Sequence, residues 1–492
     1  MSSSIIIFAL YFTAIIALTY VTTKRMSAVT AGSFDDEFYV AGRKMGPIAL
    51  AMLVAAGICS TGTFLGGPGV SGASGPGWYI LLGGAAQLPM NLYILSVVGK
   101  KINIIGRRTG AQTYIDVFRY RYENYKPLIF VLAVTVLTFL TAAAVAEFTG
   151  GSRVIEVMTG IPYIYSLLAF GAIITVYTAL GGLKGVSSVA ILQGIVMTLA
   201  SIFLIAGYIA YFRGIGPIFS SLQQIDLNLL KPTGAFETPL IYLLGTWLTF
   251  GIGVLGLPWA VQATLGYGSI KNMRLAIFLG VIFVTFWTVF LGVFGGAAGR
   301  VFTPVQEVFD WNIPVLVQGV LPEYLSGLVL AGIAGAGQST IAALFILASG
   351  SISVNVYKAF FNPKVEDKTF KNLIRYVTAF IGILTVILAI DPPASLQFII
   401  IFSAGGSASS LISPLILGLF WPRANKYGAF SGVLGGLVAY IVFHQGYLGI
   451  PLLATAPFLF AFVISLILTI GVSLLTAKPS KETLQIYFGK TQ

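Results

Sequence analysis

Long apolar runs separated by short polar segments dominate the hydropathy pattern of the chain. A helix needs about 20 mostly apolar residues to cross the hydrocarbon core of a bilayer. The runs predict thirteen membrane-spanning helices, and the ninth is long enough to project beyond the bilayer. The predicted spans are residues 4–22, 47–66, 76–98, 127–148, 162–180, 187–211, 238–262, 272–298, 324–357, 373–391, 395–419, 427–445 and 453–476. We therefore expect an all-α polytopic membrane protein.

The composition agrees with this pattern. Of the 492 residues, 57% are hydrophobic and only 9% are charged, whereas a soluble protein carries about 25% charged residues. The single cysteine, Cys59, excludes an internal disulfide, and the single histidine, His444, excludes a histidine-built metal site. The sequence lacks a glycine-rich phosphate loop followed by Lys-Ser/Thr, which argues against direct use of ATP. We expect no enzymatic activity.

The positive charges are unevenly distributed between the predicted loops. All but four of the 28 Lys and Arg residues lie on one side of the predicted membrane, and the exceptions are Arg153, Arg213, Lys231 and Arg300. Basic residues stay on the cytoplasmic side during insertion. We therefore expect an outside N-terminus and a cytoplasmic C-terminus in the cell membrane. The net charge of +12 is a topology signal, so we expect no nucleic-acid partner.

Two of the spans contain residues that interrupt helices. The second reads Ala-Ala-Gly-Ile-Cys-Ser-Thr-Gly-Thr from Ala55 to Thr63, and the seventh reads Gly-Ile-Gly-Val-Leu-Gly-Leu-Pro from Gly251 to Pro258. Proline removes a hydrogen-bond donor and glycine permits non-helical geometry. Broken segments at matching positions of two halves indicate a transporter binding site. The alternative is that both are glycine-kinked helices that serve only packing.

The two interrupted spans are five helices apart. This spacing favours two inverted repeats of five helices each, with a binding site between them near the middle of the membrane. The predicted organisation is a first helix and loop at 1–46, a first repeat at 47–211, a second repeat at 238–419, and two further helices with a tail at 420–492.

Polar residues in two other spans are candidates for holding a cation. In the ninth span, Ala336, Ser339 and Thr340 share a helix face, because residues three and four apart are neighbours. A carbonyl and two hydroxyls can converge there, although such a pair more often bonds back to the preceding turn or to a neighbouring helix. Glu147 in the fourth span is either a functional group at depth or an interfacial acid at the outer helix end. We expect His444 to be structural.

Four further segments complete the pattern, at Tyr39–Pro47, Gly150–Pro162, Tyr177–Lys184 and Gly418–Ala429. In order and spacing they resemble the landmarks of the sodium:solute symporter family over about residues 38–436. The segments Phe64-Leu-Gly-Gly-Pro-Gly69 and Gly256-Leu-Pro258 are most similar to the pantothenate permease branch of that family, with the proline permease branch a near neighbour.

The resemblance implies a LeuT-type core of two inverted five-helix repeats that gives alternating access to a central site. By matching motifs, it implies a sodium site formed by the carbonyls of Ala56, Cys59 and Ala336 and the hydroxyls of Ser339 and Thr340. It also implies a solute site lined by Ile58, Ser60, Thr61, Glu147, Val254, Gly256, Leu257 and Gln338.

The chain departs from the family pattern in two regions. Many members carry aspartate where this chain has Ala190, with Ser187 and Ser188 nearby, which argues against a second cation site there. The pantothenate and proline branches carry histidine and arginine where this chain has Trp259 and Gln262. If that arginine holds an anionic substrate in the relatives, this chain would prefer another solute.

We therefore predict a secondary active transporter that couples Na⁺ to the uptake of a small organic solute and works as a monomer in the lipid bilayer. The candidate solutes are, in order, a pantothenate-like carboxylate, an amino acid such as proline, and a short carboxylate. Three alternatives stay open: proton coupling through Glu147, a channel, and a transporter-like sensor that signals through a partner.

Overall fold

The computed structural model describes residues 3–27, 40, 43–79, 94–393 and 395–489, and these residues are folded almost entirely as helices. The first α-helices are α1 (Ser3–Ser27), α2 (Pro47–Ile58), α3 (Gly67–Ser74), α4 (Pro76–Tyr79), α5 (Gly99–Thr109), α6 (Tyr114–Arg121), α7 (Lys126–Thr159), α8 (Tyr163–Phe212) and α9 (Ile215–Ile225). They are followed by α10 (Leu240–Phe250), α11 (Pro258–Gln262), α12 (Ile270–Thr285), α13 (Gly296–Phe302), α14 (Asn312–Val320), α15 (Glu323–Gly350), α16 (Asp367–Leu388), α17 (Leu396–Phe420), α18 (Lys426–His444), α19 (Pro451–Thr455), α20 (Pro457–Leu475) and α21 (Lys481–Phe488).

Shorter helical segments connect these elements. The π-helical segments are Gly62–Gly66, Ile94–Val98, Phe286–Gly295 and Ser351–Phe361, and the 3₁₀ turns are Leu227–Leu230, Ile252–Gly256, Ala263–Gly266 and Phe309–Trp311. Residues 39, 41 and 42 of the first family-like motif lie outside the described residues, as does most of the predicted span 76–98.

Within the described ranges, nine helices are long and apolar enough to cross a membrane. They correspond to the predicted spans 4–22, 127–148, 187–211, 272–298, 324–357, 373–391, 395–419, 427–445 and 453–476. The all-α polytopic class is thereby confirmed, and the total of thirteen helices stays a prediction. The ninth predicted span continues as a helix of 39 residues, Glu323–Phe361, which exceeds one crossing as its apolar length indicated.

The helical stretch α8 contains 50 residues and includes two of the predicted spans. The hydroxyl of Tyr163 at its start donates to the carbonyl oxygen of Ala389 at 2.7 Å, and Gly207 near its end packs against Leu321. Two further hydrogen bonds link the regions of these two contacts. Arg153, near the end of α7, bonds to the loop before α17, and Gln318 bonds to the end of α7. The contacts of Tyr163 and of Gly207 therefore lie at the same face of the molecule. Both ends of α8 therefore reach the same face, as two crossings at 162–180 and 187–211 require.

The outer surface of the helix assembly is strongly apolar. Leu10, Phe278, Phe380 and Ile467 are each 62% exposed, and many other large apolar side chains share this position. An apolar surface of this extent is compatible with lipid and not with water. By contrast, the apolar stretch of α15 is entirely buried, and α1, α7 and α8 pack around it. Helix α15 is therefore the central helix of the described structure.

A buried ion pair joins three elements at one face of the protein. Arg153 near the end of α7 pairs with Asp310 in the turn Phe309–Trp311, and both side chains are almost fully buried. The Asp310 carboxylate also accepts hydrogen bonds from the Leu396 N–H and the Ser395 hydroxyl, each at 3.0 Å. These bonds hold the start of α17 against the turn and the end of α7.

Removing one partner of this pair is expected to destabilise the fold by about 3–5 kcal/mol, because a buried charge is left uncompensated. Arg153→Gln and Asp310→Asn should each lower the midpoint of thermal unfolding in detergent, and the double variant should lose less than the two single losses added together. Lys231→Gln removes an exposed cation and serves as the control. Equal midpoints for Arg153→Gln and Lys231→Gln would show that the pair contributes no stability.

Candidate ion and solute site

The second predicted span is broken at the predicted place. Helix α2 ends at Ile58, and Cys59 has φ −90° and ψ 84°, outside helical geometry, before a π-helical turn begins at Gly62. The carbonyl groups in the last turn of a helix lose their intrahelical partners. The Ala55 carbonyl still accepts from the Cys59 N–H at 2.7 Å. The following carbonyls, including that of Ala56, are the kind of oxygen that a broken membrane helix offers to a cation.

The seventh predicted span is also broken. Helix α10 ends before Gly251, which has φ −80° and ψ −94°, and the 3₁₀ turn Ile252–Gly256 leads into α11. The hydroxyl of Ser407 donates to the freed carbonyl of Gly256 at 3.0 Å. A β-carbon at Gly256 would lie 2.6 Å from Cα of Ala408. The break therefore packs directly on α17, and glycine is needed at 256 for this close approach.

Glu147 of α7 binds the segment that follows the first break. Its Oε2 accepts hydrogen bonds from the N–H of Thr61 at 3.0 Å and from the Thr61 hydroxyl at 2.6 Å. The Glu147 side chain is only 2% exposed. Of the two positions that the sequence left open for this carboxylate, the structure shows the buried one. Glu147 thereby replaces hydrogen bonds that the broken helix cannot make itself.

Helix α15 approaches the same segment closely. A β-carbon at Gly337 would lie 2.6 Å from Cγ2 of Thr61 and 3.5 Å from Oε2 of Glu147. Contact distances under 3 Å force one of the two groups to move, so only glycine allows the central helix to touch the broken segment without displacing it.

Gly337→Ala is therefore expected to destabilise the protein by about 1–3 kcal/mol, the usual cost of overpacking a core. The matched control is Gly471→Ala in α20, because outside the adjacent backbone of its own helix no atom lies within 4 Å of the added carbon at that position. Thermal unfolding of both variants in the same detergent checks the prediction. Unchanged midpoints for both would mean that α15 does not contact Thr61 as described.

The two hydroxyls predicted to bind the cation are buried within the protein. Ser339 is 2% exposed and Thr340 is 3% exposed. The Ser339 hydroxyl donates to the Ala336 carbonyl oxygen at 2.8 Å, and the Thr340 hydroxyl donates to the same oxygen at 3.2 Å. Both groups thus bond back to the preceding turn, which was the alternative considered for them. A hydroxyl that donates in this way keeps its lone pairs, so a cation can still be coordinated.

The donor atoms at this junction are neutral oxygens. Among the described residues, no group of three or more His, Cys, Asp or Glu side chains is arranged to hold a metal ion. Thiolate and imidazole ligands select transition metals, whereas freed carbonyls coordinate Na⁺ in transporters with broken helices. The carbonyls and hydroxyls present therefore fit Na⁺ better than they fit a transition metal.

A cavity of about 40 Å³ lies between the two broken spans. Six of the predicted site residues line it: Ile58, Ser60, Glu147, Val254, Leu257 and Thr340. The cavity combines hydroxyl and carboxylate oxygens with apolar side chains, and no described residue of its lining is basic.

Three of the predicted solute contacts do not line this cavity. Thr61 is bonded to Glu147, and Gly256 is packed against α17. The Oε1 atom of Gln338 accepts a hydrogen bond from the hydroxyl of Tyr11 in α1 at 3.1 Å. Helix geometry explains why Gln338 does not line this cavity, because it lies about 200° around the helix axis from Thr340. The two side chains cannot face the same cavity.

Six lining residues were not predicted as solute contacts: Ala143, Phe250, Trp259, Ile400, Ser403 and Ala404. Phe250 and Trp259 flank the break of the seventh span, so their position beside it was a usable signal. Ala143 lies one turn before Glu147 on the same helix face and could have been found in the same way. The three residues on α17 gave no such signal, because serines occur on several faces of that helix.

The positions that depart from the family pattern differ in their location. Gln262 lies away from the cavity, where its Nε2 donates to the Gln112 carbonyl at 2.9 Å and its Oε1 accepts from the Tyr114 N–H at 2.5 Å. Trp259, by contrast, lines the cavity. The difference at 262 therefore removes no charge from the cavity lining. The side chains of Ser187, Ser188 and Ala190 lie outside the described set.

The overall structure is similar to those of known cation-coupled transporters. A Na⁺-coupled sialic acid symporter, solved in a substrate-bound outward-open state, matches with a TM-score of 0.80 over 98% of this chain and 99% of its own, at 16% identity. MHP1, a nucleobase-cation-symport-1 family transporter solved in a closed conformation with bromovinylhydantoin bound, matches with a TM-score of 0.58 over 92% of this chain and 97% of its own, at 15% identity. At these identities the likeness concerns the fold, and it confirms the LeuT-type architecture.

Sequence comparison gives the family. The chain is 33% identical to the sodium/pantothenate symporter of Haemophilus influenzae over 89% of this chain and 90% of that protein. It is 32% identical to the sodium/pantothenate symporter of Escherichia coli, over 84% and 85%, and 25% identical to the sodium/proline symporter of Escherichia coli, over 85% and 84%. The family model for the sodium:solute symporters matches residues 38–436. The chain therefore belongs to the sodium:solute symporter family.

Proposed function

We propose that this symporter uses an inward sodium gradient to carry a pantothenate-like solute into the cell, with Na⁺ held where α2 ends beside α15. The observation that supports this most strongly is the shared cavity, in which Ser60 after the first break lies opposite Thr340 of the central helix. The proposed ligands of Na⁺ are the carbonyls of Ala56, Cys59 and Ala336 and the hydroxyls of Ser339 and Thr340.

Sodium binding would be coupled to solute binding through the first break. A cation that bridges α2 and α15 orders the non-helical residues Cys59 and Ser60, because their backbone then has a fixed partner. A solute that contacts Ser60 binds more tightly to the ordered segment than to the mobile one. Such a difference in affinity between two conformations is what couples the two ligands, and it acts reciprocally.

The preference for a pantothenate-like carboxylate is supported by the two sodium/pantothenate symporters among the relatives. The lining is compatible in its chemistry with such a solute, since the oxygens of Ser60, Ser403 and Thr340 lie beside the apolar side chains of Phe250 and Ile400. The described lining offers no basic side chain to a carboxylate, so bound Na⁺ would supply the positive charge. An amino acid such as proline is the second candidate and a short carboxylate the third.

Uptake into proteoliposomes tests the function directly. We expect an inward Na⁺ gradient to drive accumulation of radiolabelled pantothenate, and replacement of external Na⁺ by K⁺ at fixed pH to abolish it. Radiolabelled proline in the same vesicles tests the second solute. Undiminished uptake in K⁺ that follows an inward proton gradient would instead favour proton coupling through Glu147. Currents far above the turnover of a carrier would favour a channel.

We also propose that the N-terminus is outside, that the C-terminus is cytoplasmic, and that the monomer is the functional unit. The uneven distribution of basic residues supports the orientation. Because Cys59 is fully buried, a cysteine introduced at an exposed site can be labelled selectively. We expect an impermeant maleimide to label Lys231→Cys in intact cells and Lys478→Cys only after permeabilisation. The opposite labelling pattern would contradict the orientation.

A further inference from the structure

A second cavity, of about 500 Å³, opens at the face that carries the basic loops. One wall is a single face of the helix that includes α5, where Ser96, Lys100, Ile104 and Arg108 recur at intervals of four residues. The facing wall consists of Phe420 at the end of α17 together with Tyr487, Phe488 and Gly489 of the C-terminal segment. It shares no lining residue with the solute cavity.

The charge of this second cavity is uncompensated within the described residues. Lys100, Lys101 and Arg108 line it, and no described lining residue is acidic. Lys101 lies over the rings of Phe420 and Phe488, with its Nζ 4.9 Å and 4.6 Å from their centroids. Arg108 donates to a peptide carbonyl in α21 at 3.1 Å. The three cationic side chains therefore face the same cavity. The partners described above for Lys101 and Arg108 are aromatic rings and a peptide carbonyl.

Two carboxylates of the adjoining elements are already paired. Asp116 of α6 forms an ion pair with Arg119 at 3.0 Å, and Glu123 forms one with Lys426 at 3.0 Å. Burial and, after it, the nearby charge of Arg121 lower the pKa of Lys101. An anion bound in the cavity would relieve this repulsion.

The rim of the cavity is apolar and accessible. Val97 is 41% exposed, Ile104 is 38% exposed and Phe420 is 43% exposed. Phe420 is the last residue of a membrane-spanning helix, so this rim lies where hydrocarbon meets the polar region of the bilayer. A ligand with an anionic group would interact with the cations, and apolar chains of the same ligand would lie along the rim. Such a ligand would satisfy both parts of the site.

We propose that this second cavity binds the headgroup of an anionic phospholipid, with its phosphodiester among Lys100, Lys101 and Arg108 and its acyl chains along Val97, Ile104 and Phe420. Basic pockets between membrane helices at the positively charged face are suited to such headgroups. Since the opposite wall belongs to α21, the bound lipid would also hold the C-terminal helix against the core.

Lipid binding to the purified full-length protein tests this proposal. The protein in neutral detergent is titrated with phosphatidylglycerol, phosphatidylcholine or inorganic phosphate, and bound lipid is counted by native mass spectrometry. We expect retention of phosphatidylglycerol and not of phosphatidylcholine. Removing all three charges, in Lys100→Gln/Lys101→Gln/Arg108→Gln, should weaken retention by on the order of 100-fold, because each charge near a lipid surface contributes about fivefold.

The control removes three exposed cations elsewhere on the same predicted side, in Lys271→Gln/Lys364→Gln/Lys368→Gln. This variant should retain the lipid as the unmodified protein does. The single variant Lys100→Gln changes an exposed side chain, so it preserves the fold. Its retention of phosphatidylglycerol should be about fivefold weaker. Equal losses in the two triple variants, or no loss in Lys100→Gln, would overturn the proposal. Retention of inorganic phosphate to the same extent as phosphatidylglycerol would show a site for a free anion instead.

Discussion

Replacing Ser339 by alanine is expected to raise the Na⁺ concentration for half-maximal uptake by roughly 10-fold to 100-fold. The reason is that a buried cation loses a hydroxyl ligand, and a polar contact to a charged group contributes about 1.5–3 kcal/mol. The maximal rate at saturating Na⁺ should fall much less, because the solute cavity is unchanged. Uptake in proteoliposomes over a range of external Na⁺ concentrations gives both quantities.

The same helix supplies a matched control for this substitution. Ser349 is also buried in α15, and its hydroxyl bonds back to the Ile346 carbonyl at 3.0 Å, as that of Ser339 does to Ala336 at 2.8 Å. Ser349→Ala therefore removes an equivalent hydrogen bond at a position remote from the break and should leave the Na⁺ dependence unchanged. An equal shift in both variants would mean that the effect arises from the helix and not from ion coordination.

Replacing Glu147 by leucine is expected to lower uptake on the order of 100-fold even at saturating Na⁺. Two hydrogen bonds to Thr61 are lost, and the Thr61 N–H is left buried without its acceptor. Glu147→Gln keeps one side-chain acceptor, so its uptake rate should lie between that of Glu147→Leu and that of the unmodified protein. Initial rates of pantothenate uptake, normalised to the amount of folded protein, measure these losses.

A second carboxylate on α7 provides the control for these variants. Glu156 accepts a hydrogen bond from the indole N–H of Trp311 at 3.3 Å, away from the cavity, so Glu156→Gln should retain nearly full uptake. Thr61→Val removes one of the two hydrogen-bond donors to Glu147 and should lower the uptake rate about tenfold. If Glu147→Gln abolished uptake while Thr61→Val left it intact, the carboxylate would act as a proton carrier and not as a support for the break.

The class of protein and its broken helices could be predicted from the sequence because both depend on local chemistry. Runs of apolar residues specify membrane helices, and the glycines near Cys59 and Gly251 specify where helical geometry is left. The resemblance of its motifs to those of the sodium:solute symporters correctly implied that family and a LeuT-type fold, and Na⁺ as its coupling ion is confirmed at the level of the family. The individual ion and solute ligands stay predictions.

Features that depend on packing between distant segments were not predictable. The contact of Gln338 with Tyr11 is set by the position of α1 against α15, which a helical pattern does not reveal. The pairing of Arg153 with Asp310 joins residues far apart in the sequence. The part of α17 that faces the cavity could not be chosen, because its buried serines are distributed around the helix.

The central claim is that a cation binds between the end of α2 and the two hydroxyls of α15. Equilibrium binding of radioactive sodium to the purified protein, without any solute, tests it most directly. We predict saturable binding by the unmodified protein and by Ser349→Ala, and loss of saturable binding when Ser339→Ala and Thr340→Val are combined. Unchanged saturable binding in that double variant would show that Na⁺ is held elsewhere.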